Sequence, residues 1–509
     1  LFRMDEDIID INNENNDEQQ EGQDEFVYFT EGDLVEVDVG DEPPVDSDGE
    51  GEAEGDDISL DENDIYEIAE EPDLNIEDMS IASFNYHTDS VYCTAFHPTR
   101  PGLVISGGGD DKAYLWKYNL PQDFNLLSNN NNNIEGEYGK GIEFCIELPG
   151  HTDTVTAVGF NFDGTLALTG GYDGIVNIWS LGPQPTNPLE SYVIQPTLLN
   201  KLEGPEDIEW ATWHSKGNAV LAGSKDGTIW MWLANTGQCV QVFAGHDGGV
   251  SCGLFTLDGK SVCSGGEDGT IRIWAPKTGV CKHNFNGVMG GGHNGGITCI
   301  TGSEDGELLA TGGFDGEVHL FHVSGKRLVK KFVHSQPVKV NDDKPVGTDG
   351  APLPIPPGPN NDEDEWEDED EDNEEKEMTE SVECVGISRT EIKWLASGGS
   401  DKNLKIWDIS TGICRCVCSH DDSVVALKWH HSLPIIATAS LDKKIRVWDA
   451  RSGTCLVTLT GHQDLVTNID FQKVVLPLSS GQQSDAIASV SDDGTIKVYL
   501  LDIPTLIGA

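Results

Sequence analysis

Histidine and aspartate recur along this chain at a spacing that could support acid-base or metal chemistry. In five places an Asp follows a His by 22 or 23 residues. The pairs are His87 and Asp110, His151 and Asp173, His246 and Asp268, His293 and Asp315, and His420 and Asp442. A catalytic or metal-binding group occurs once per site, whereas these pairs occur once per repeat. We therefore interpret them as structural hydrogen-bonding pairs and predict no enzyme activity, no cofactor and no metal site.

A string of cysteines near residue 415 offers a second set of possible ligands. Cys414, Cys416, Cys418 and His420 read C-x-C-x-C-x-H. Alternate residues of a strand share one face, so on a strand these thiols would lie in a row instead of converging on zinc. The position after a T/S-G-x turn holds cysteine in four repeats, at Cys239, Cys281, Cys414 and Cys455. We therefore predict core residues of an outer strand, and reduced thiols for all 12 cysteines.

The aspartates lie in eight copies of one sequence motif, and the structure that this motif forms must position them. Each copy has a small residue, an Asp and a β-rich run that ends in an aromatic. The copies read SGGGDDKAYLW, TGGYDGIVNIW, AGSKDGTIWMW, SGGEDGTIRIW, TGGFDGEVHLF, SGGSDKNLKIW, TASLDKKIRVW and SVSDDGTIKVY. Alternating apolar and polar residues between Asp-Gly, Gly-Gly and Pro predict short strands and turns from Ile81 almost to the end. A strand-based repeat of about forty residues predicts one body of repeated sheets.

Acidic residues are in large excess and are concentrated in two segments. The 509 residues include 89 acidic and 31 basic ones, a formal charge of -58. Residues 1–80 hold 32 acidic residues and a single base, Arg3, and residues 362–377 hold 13 acidic residues and Lys376. Because such segments cannot fold against their own repulsion, we predict a disordered acidic tail at 1–80 and a disordered acidic insertion at about 337–380. The excess favours cationic partners over nucleic acid or anionic membranes.

Each copy resembles the WD-repeat unit, a four-stranded antiparallel blade, over roughly residues 81–509. The resemblance implies an all-β WD-repeat β-propeller of eight blades, with seven as the alternative because several copies are degenerate. In WD repeats a His bonds to the turn Asp, a Ser or Thr bridges, and a Trp closes a buried network. The residues assigned to such networks are His87, Asp110 and Trp116; His151, Asp173 and Trp179; His246, Asp268 and Trp274; and His420, Asp442 and Trp448. We expect residues 81–84 to supply the missing outer strand of blade 8 and close the ring.

The same resemblance places three positions per blade on the top surface around the channel. These are the third and fifth residues after the opening His and the residue before the turn Asp. They hold five acids, one base and three aromatics: Asp207, Glu209, Glu267, Glu383, Asp492, Lys225, Tyr92, Tyr172 and Phe314. We expect a local negative pocket at Asp207, Glu209 and Glu267 that favours an Arg- or Lys-rich segment, with aromatic stacking on guanidinium groups. Blade 3 lacks the His, and we predict that it offers Trp210 to the partner.

Five phrases resemble the angio-associated migratory cell protein family, which includes the dedicated chaperone of a large-subunit ribosomal protein. They read SGGGDDKAYLW, DIEWATWH, AVLAGSKDGTIWMW, EDGTIRIW and GGHNGGITCI, and they span blades 1, 3, 4 and 5. The resemblance implies that the acidic top captures the basic N-terminal segment of the newly made ribosomal protein and shields it until it joins the large subunit. We expect a monomer that is cytoplasmic and that can also be nuclear.

Two other binding functions remain open. WDAR at residues 448–451 resembles the WDxR box by which some WD-repeat proteins dock onto a cullin ubiquitin-ligase adaptor, and Arg451 would then be a contact of a ligase substrate receptor. A generic acidic scaffold in signalling or cell migration, or a histone chaperone, would bind many basic proteins indifferently.

Some segments have no assigned task. Trp366 lies at the centre of the acidic insertion, which is either solvated or grips something basic. The tail has one apolar island, FVYF at residues 26–29, which is either a short docking segment or residual hydrophobicity. The sequence has no apolar run that could span a membrane, and its first residues do not read as a secretory signal, so we expect an intracellular protein.

Overall fold

The computed structural model describes residues 77–120, 135–136, 138–182, 194–335, 380–390, 393–475 and 483–506. Within these ranges the chain forms 34 strands and two short helices, α1 (Gly287–Gly290) and α2 (Ile503–Leu506). Among the described residues, therefore, no helix is long and apolar enough to cross a membrane. The predicted acidic tail up to residue 76 and the predicted insertion up to residue 379 lie outside the described residues.

The strands form eight antiparallel sheets, so the chain is an all-β propeller of eight blades, and seven is excluded. We number the strands in chain order. Blade 1 contains β2 (Val91–Phe96), β3 (Leu103–Gly108), β4 (Ala113–Tyr118) and β7 (Ile142–Leu148). Blade 2 contains β8 (Val155–Phe160), β9 (Leu166–Gly171), β10 (Ile175–Ser180) and β11 (Thr197–Glu203). Blade 3 contains β12 (Ile208–Trp213), β13 (Ala219–Ser224), β14 (Thr228–Leu233) and β15 (Gln238–Ala244). Blade 4 contains β16 (Cys252–Phe255), β17 (Val262–Gly265), β18 (Ile271–Trp274) and β19 (Cys281–Phe285).

The second half of the ring repeats this order. Blade 5 contains β20 (Ile297–Gly302), β21 (Leu308–Gly313), β22 (Glu317–His322) and β23 (Arg327–Val333). Blade 6 contains β24 (Val382–Ile387), β25 (Trp394–Gly399), β26 (Asn403–Asp408) and β27 (Cys414–Ser419). Blade 7 contains β28 (Val424–Trp429), β29 (Ile435–Ser440), β30 (Ile445–Asp449) and β31 (Thr454–Leu459). Blade 8 contains β32 (Val466–Val475), β33 (Gln483–Ser491), β34 (Ile496–Leu501) and, from the start of the propeller, β1 (Ala82–Phe84).

Strand β1 closes the ring as the sequence predicts. It pairs antiparallel with β34, with Ala82 opposite Val498 and Phe84 opposite Ile496. A hairpin of β5 (Glu135–Gly136) and β6 (Gly139–Lys140), which lies between β4 and β7 in the chain, then pairs with the free side of β1. Blade 8 is therefore the one sheet of the described residues whose outer strand is covered, which blunts an exposed edge.

The core lies between blades and not within one of them. Each of the eight apolar clusters joins two consecutive blades, and the cluster that holds Phe84 and Trp116 joins blade 8 to blade 1. The ring of Phe84 is fully buried and stacks on Trp116 at a centroid distance of 4.9 Å. Because neighbouring blades cover both faces of each sheet, the second strands are buried along nearly their whole length, whereas outer strands such as β23 and β27 alternate between exposed residues and half-buried or buried ones.

Two faces follow from this topology. We call top face the one that carries the turns between the second and third strands of the blades, and bottom face the one that carries the turns between the first and second strands. Buried polar networks fix the top turns. In blade 1, His87 Nδ1 bonds to Asp110 at 2.9 Å and Nε2 to Ser106 at 3.0 Å, while Trp116 Nε1 donates to Ser106 at 3.3 Å. The same bonds occur in blades 2 and 4 through His151, Asp173, Thr169, Trp179, His246, Asp268, Ser264 and Trp274.

Blade 7 departs from the expected network. His420 Nε2 bonds to Thr438 at 2.8 Å, and Trp448 Nε1 donates to the same hydroxyl at 3.0 Å. The expected bond from His420 to Asp442 is wrong, because Arg446 donates to Asp442 instead. A guanidinium is the stronger partner for a carboxylate, and His420 Nδ1 has no hydrogen-bond partner among the described residues. Burial, with Arg446 as the second cause, lowers the pKa of His420 to about 4.

In two networks the His and the Asp are farther apart in the sequence than the usual 22 or 23 residues. In blade 6, His334 bonds to Ser397 at 2.7 Å and to Asp401 at 3.0 Å, although 67 residues separate His334 from Asp401. In blade 8, His462 bonds to Asp493 at 2.9 Å across an interval of 31 residues. Insertions lengthen both intervals in the chain and leave the spatial arrangement unchanged.

Candidate partner-binding face

The first strand of a blade carries an irregularity at its second residue. In β2, β8, β12, β20, β24, β28 and β32, the pairing with the second strand skips this residue. Such a β-bulge leaves one residue unpaired and re-aims its side chain. The bulged positions include three of the predicted site residues, Tyr92, Glu209 and Glu383.

A backbone hydrogen bond brings the residue before each turn aspartate to the same place. Its N–H donates to the carbonyl of the residue two positions before the bulge or, in blade 4, which has no bulge, before the equivalent residue Ser251. In blades 2 to 5 these bonds are Tyr172 to Thr154 at 3.0 Å, Lys225 to Asp207 at 3.2 Å, Glu267 to Gly249 at 2.9 Å and Phe314 to Gly296 at 3.0 Å. Asp492 bonds to Leu465 in the same way at 3.1 Å. The predicted site positions of one blade are therefore held side by side on the top face.

The three predicted acids of blades 3 and 4 form one electrostatic group. Burial raises the pKa of the half-buried Glu209, Lys225 lowers it, and Glu267 and Asp207 raise it further. Glu267 accepts a hydrogen bond from the N–H of Gly249 at 3.2 Å, which fixes its carboxylate. Three carboxylates and one ammonium thus share a small area, and a cation placed there would relieve their repulsion.

Aromatic side chains flank this acidic group on both sides. Tyr172 is 37% exposed, and its pKa is raised by burial and then by Glu209 and Asp207. On the other side Phe314 is 56% exposed. A methyl group built on Gly296 would lie 3.1 Å from the Phe314 ring and 3.3 Å from Glu267 Cα, so ring and acid are neighbours.

We call this continuous row over blades 1 to 5 the acidic arc. It consists of Tyr92, Tyr172, Asp207, Glu209, Lys225, Glu267 and Phe314. The other two predicted acids lie in the blades on either side of the arc, Glu383 next to blade 5 and Asp492 next to blade 1. Glu383 in blade 6 accepts a hydrogen bond from Ser381. Asp492 in blade 8 is half-buried and is separated from Glu383 by blade 7.

Trp210 has a role in the ring that the sequence did not indicate. Its indole N–H donates to the carbonyl of Val250 in blade 4 at 2.7 Å, and its ring packs against Gly223 and Gly253. Trp213 likewise donates to Gly159 of blade 2 at 3.2 Å. Both tryptophans therefore join neighbouring blades, and we do not include them in the acidic arc.

The bond of Trp210 belongs to a set that links blade to blade. In each case a side chain of the first strand, or in blade 4 of the residue just before it, donates to the carbonyl of a buried Val or Ile at or near the start of the first strand of the next blade. The donors and acceptors are Cys93 to Val155, Thr156 to Ile208, Trp210 to Val250, Ser251 to Ile297, Thr298 to Val382, Cys384 to Val424 and Thr467 to Val91. The chemistry of the donor varies too much for a sequence pattern to show the set.

The residues that could ligate a metal make hydrogen bonds within the propeller. Cys414 donates to the carbonyl of Cys416 and Cys418 to that of Gly453, and burial raises the pKa of Cys418 to about 12. Among the described residues two His/Asp groups could hold an ion by distance. One is His293, Asp315 and His319 of the blade 5 network, where the imidazoles stack at 3.8 Å. The other is His430, His431 and Asp485, in which His430 accepts two backbone N–H groups and so donates its own proton to Asp485 at 3.0 Å.

Arg451 of the WDAR sequence has an intramolecular partner. Its guanidinium donates through Nε and Nη2 to the two oxygens of Asp449, at 2.9 Å and 2.8 Å. This bidentate pair accounts for the arginine within the turn, and the structure adds nothing that favours a ligase adaptor.

Comparisons with known proteins agree with this architecture. A family model described as WD domain, G-beta repeat matches residues 79–117, 143–180, 196–232, 237–275, 279–322, 380–408, 412–449 and 453–499. Angio-associated migratory cell protein of Canis lupus familiaris and that of Homo sapiens are each 29% identical over 427 residues, which are 84% of this chain and 81% of theirs.

Solved structures show the same fold. Sqt1 of Saccharomyces cerevisiae aligns with a TM-score of 0.63 and 20% identity, over 83% of this chain and 98% of that one. Sqt1 of Chaetomium thermophilum, bound to the N-terminus of the ribosomal protein L10, aligns with a TM-score of 0.61 and 20% identity, over 84% of this chain and 100% of that one. With eight matched repeats and eight blades, the chain belongs to the WD-repeat family and is related to angio-associated migratory cell protein.

Proposed function

We propose that the protein is a non-enzymatic chaperone whose top face captures the basic N-terminal segment of a newly made large-subunit ribosomal protein and so supports ribosome assembly. It would act as a monomer in the cytoplasm and could also do so in the nucleus. The acidic arc is the observation that carries the proposal. WD-repeat proteins are typically scaffolds, and the recurring His–Asp pairs of blades 1, 2 and 4 belong to structural networks.

The chemistry of the arc suits an arginine-rich segment. The Asp207, Glu209 and Glu267 carboxylates outnumber the single Lys225 ammonium, and Glu209 is half-buried, where charge interactions are screened less than in water. Tyr172 and Phe314 offer exposed rings beside the carboxylates, an arrangement that favours guanidinium groups. A free ribosomal protein is cationic and binds RNA non-specifically, so an acidic face would steer its capture and exclude RNA.

The relatives support the choice of client. The C. thermophilum Sqt1 that shares this fold was solved with the N-terminus of L10 bound. At 20% identity the similarity shows the fold alone. A binding function must therefore be inferred from the residues of this chain. The residues that support binding are the carboxylates and the aromatic rings of the acidic arc.

The first test is to purify the tagged protein from its own cells and identify the stoichiometric partner. We expect the counterpart of L10 to be enriched in a one-to-one complex. Enrichment of a cullin adaptor, or of many basic proteins without preference, would contradict the proposal.

The second test reverses the arc. Replacing Asp207, Glu209 and Glu267 together by Lys should weaken capture of the basic segment about a hundredfold or more, because each lost charge pair becomes a repulsive one. Thermal unfolding should be nearly unchanged, because none of the three side chains belongs to the core. The control reverses Glu143, Glu147 and Glu203, which are exposed on β7 and β11. Equal losses in both variants would mean that net charge, and not the arc, drives capture.

A further inference from the structure

Two cavities formed by described residues lie on the bottom face, at the ends of the first strands. One has a volume of about 360 Å³ and lies at blades 1 to 3, where Phe160 and Trp213 form part of its wall. The other has a volume of about 230 Å³ and lies at blades 4 to 7, where Ile387 and Trp429 take the equivalent places. We call them the blade 1–3 cavity and the blade 4–7 cavity. They are built from the same repeat positions, so their differences are informative.

The first difference is an unused hydrogen-bond donor. In the blade 1–3 cavity the indole N–H of Trp213 donates to the carbonyl of Gly159. Trp429 lies over Gly386 in the same manner, since a methyl group on Gly386 would be 3.1 Å from its Nε1. Yet Trp429 Nε1 is buried without a hydrogen-bond partner among the described residues. A buried donor without an acceptor is unfavourable, so a shift of the Trp429 ring that brings its N–H to an acceptor on a ligand would remove that cost.

The second difference is charge. Arg389 and Lys428 are exposed and line the blade 4–7 cavity, together with one acid, Glu304, which lies 3.9 Å from Arg389. Lys473 and Arg389 both act on His431 and help to lower its pKa, so a further positive charge lies close by. Asp485 also acts on His431, so the surroundings of the cavity hold three bases and two acids. The rim of the cavity is therefore weakly cationic, whereas the acidic arc has three acids and one base.

The third feature is size and lining. Leu257, Ile300 and Leu427 are among the apolar walls of the blade 4–7 cavity. Its volume lies below the range of about 300 to 1,000 Å³ that holds small-molecule ligands. An apolar cavity of this size with a cationic rim suits one aromatic side chain within an acidic peptide.

We propose that the blade 4–7 cavity binds the aromatic island at residues 26–29 of this chain's own acidic N-terminal segment. The island reads FVYF and is flanked by Asp24, Glu25, Glu31 and Asp33. An aromatic ring would fill the apolar cavity, and the flanking carboxylates would meet Arg389, Lys428 and Lys473. This inference does not depend on the identity of the client.

The position of the described N-terminus makes this contact possible. The described residues start at Glu77, whose carbonyl accepts a hydrogen bond at 2.7 Å from Thr460, in the loop that follows the outer strand of blade 7 on the top side. The 47 residues from 30 to 76 lie between the island and this point. A random coil of that length has a root-mean-square end-to-end distance of about 35 to 40 Å, and like charges extend such a chain, so the island would reach the bottom face. Such a tether gives an effective concentration of about a millimolar, so weak contacts are enough. Like charge keeps the same segment away from the acidic arc.

The test uses the full chain with the photoreactive residue p-benzoylphenylalanine in place of Tyr28. After irradiation, mass spectrometry should locate intramolecular crosslinks at or beside Arg389 and Leu427 to Trp429. Lys428→Glu should lower their yield about fivefold or more, as expected for losing a surface charge pair. Trp429→Phe, which removes the N–H and keeps a ring, should lower it as well. Lys216→Glu, at an exposed lysine two residues beyond His214 of the blade 1–3 cavity, is the matched control and should leave the yield unchanged.

Several outcomes would overturn the proposal. They are crosslinks to the blade 1–3 cavity, to the top face, or between chains when ¹⁴N- and ¹⁵N-labelled protein are mixed, and a yield that Lys428→Glu and Lys216→Glu lower equally. Absence of any crosslink overturns it too. Capture of the basic client is measured separately, so a failure here leaves the proposed function standing.

Discussion

At the scale of the residue, one position of the repeat performs the same task with different residue types in different blades. The third residue of the first strand is Cys93 in blade 1, Trp210 in blade 3 and Cys384 in blade 6. All three donate to a carbonyl of the next blade. The common requirement at this position is a hydrogen-bond donor that reaches the carbonyl of the next blade. Residues of different types meet that requirement.

This shared task gives a prediction for Trp210. Trp210→Phe keeps an aromatic ring but loses the bond to Val250, so the free energy of unfolding should fall by about 1 to 2 kcal/mol. Affinity for the basic segment should stay the same, whereas Tyr172→Ala should lower affinity and leave stability nearly unchanged. Urea unfolding and binding titrations of both variants check this. If Trp210→Phe bound the basic segment more weakly while its stability was unchanged, Trp210 would be a partner contact, and the structural role that we assign to it would be wrong.

Residue identities alone predicted the networks of blades 1, 2 and 4 and the His293–Asp315 pair of blade 5. The failures in blades 6, 7 and 8 have physical reasons. His334 and His462 bond to their aspartates across insertions, which change distance along the chain and not distance in space. In blade 7 the failure is one of competition, because Arg446 is a stronger partner for Asp442 than His420 is. The spacing of residues in the sequence identifies candidate His–Asp pairs, but it does not show which of two donors a carboxylate will bind.

At the scale of the element, the ring depends on strand β1. Three residues of β1 complete blade 8, and Phe84 places a fully buried ring between blades 8 and 1. Without β1 the edge of β34 would be open, and exposed edges invite pairing with other chains.

Shortening Phe84 tests this closure. Phe84→Ala should lower the free energy of unfolding by about 3 to 5 kcal/mol, and Phe84→Leu by about 1 kcal/mol. Hydrogen exchange should rise most in β34 and β4, next to the lost ring. Phe243→Ala removes an equally buried ring from the outer strand of blade 3 and is the control. If both variants open the same strands, Phe84 has no special part in closure.

The sequence predicted β1 but not the hairpin that covers it. Residues 81–84 lie at the register of an outer strand, and blade 8 visibly lacked one. Strands β5 and β6 have two residues each and contain Gly136 and Gly139, so no alternation marks them. Such a strand exists only because β1 offers an edge to pair with.

At the scale of the whole molecule, acid should loosen the propeller in two stages. Burial is the first cause that lowers the pKa of His97, His319 and His420 to about 4 each. The unfolded chain binds protons at these sites near pH 6.5, so stability is full above that pH and falls as the pH drops towards 4. Hydrogen bonds lower the pKa of Asp305 and Asp315 to about 2, against the effect of burial, and their contribution is lost below about pH 4.

His97 offers a clean test of the first stage. Its Nδ1 accepts from two backbone N–H groups and its Nε2 donates to Gly164 at 2.8 Å, so only the neutral ring fits. Asn161 takes the same place in blade 2 and accepts from Leu166. His97→Asn should therefore reduce the stability lost between pH 7.5 and pH 5 by about 2 kcal/mol, measured by urea unfolding at both values. An unchanged loss would show that His97 does not take part.

The closure of blade 8 also sets an order of events during synthesis. The ribosome makes β1 before any other strand of the propeller, while its partner β34 ends at Leu501. At about 5 to 20 residues per second, translation leaves β1 without that partner for roughly 20 to 80 seconds. Every blade of the acidic arc is complete in sequence before that interval ends. The surface that we propose to shield a nascent protein is thus itself, for tens of seconds, part of a nascent chain whose ring is not yet closed.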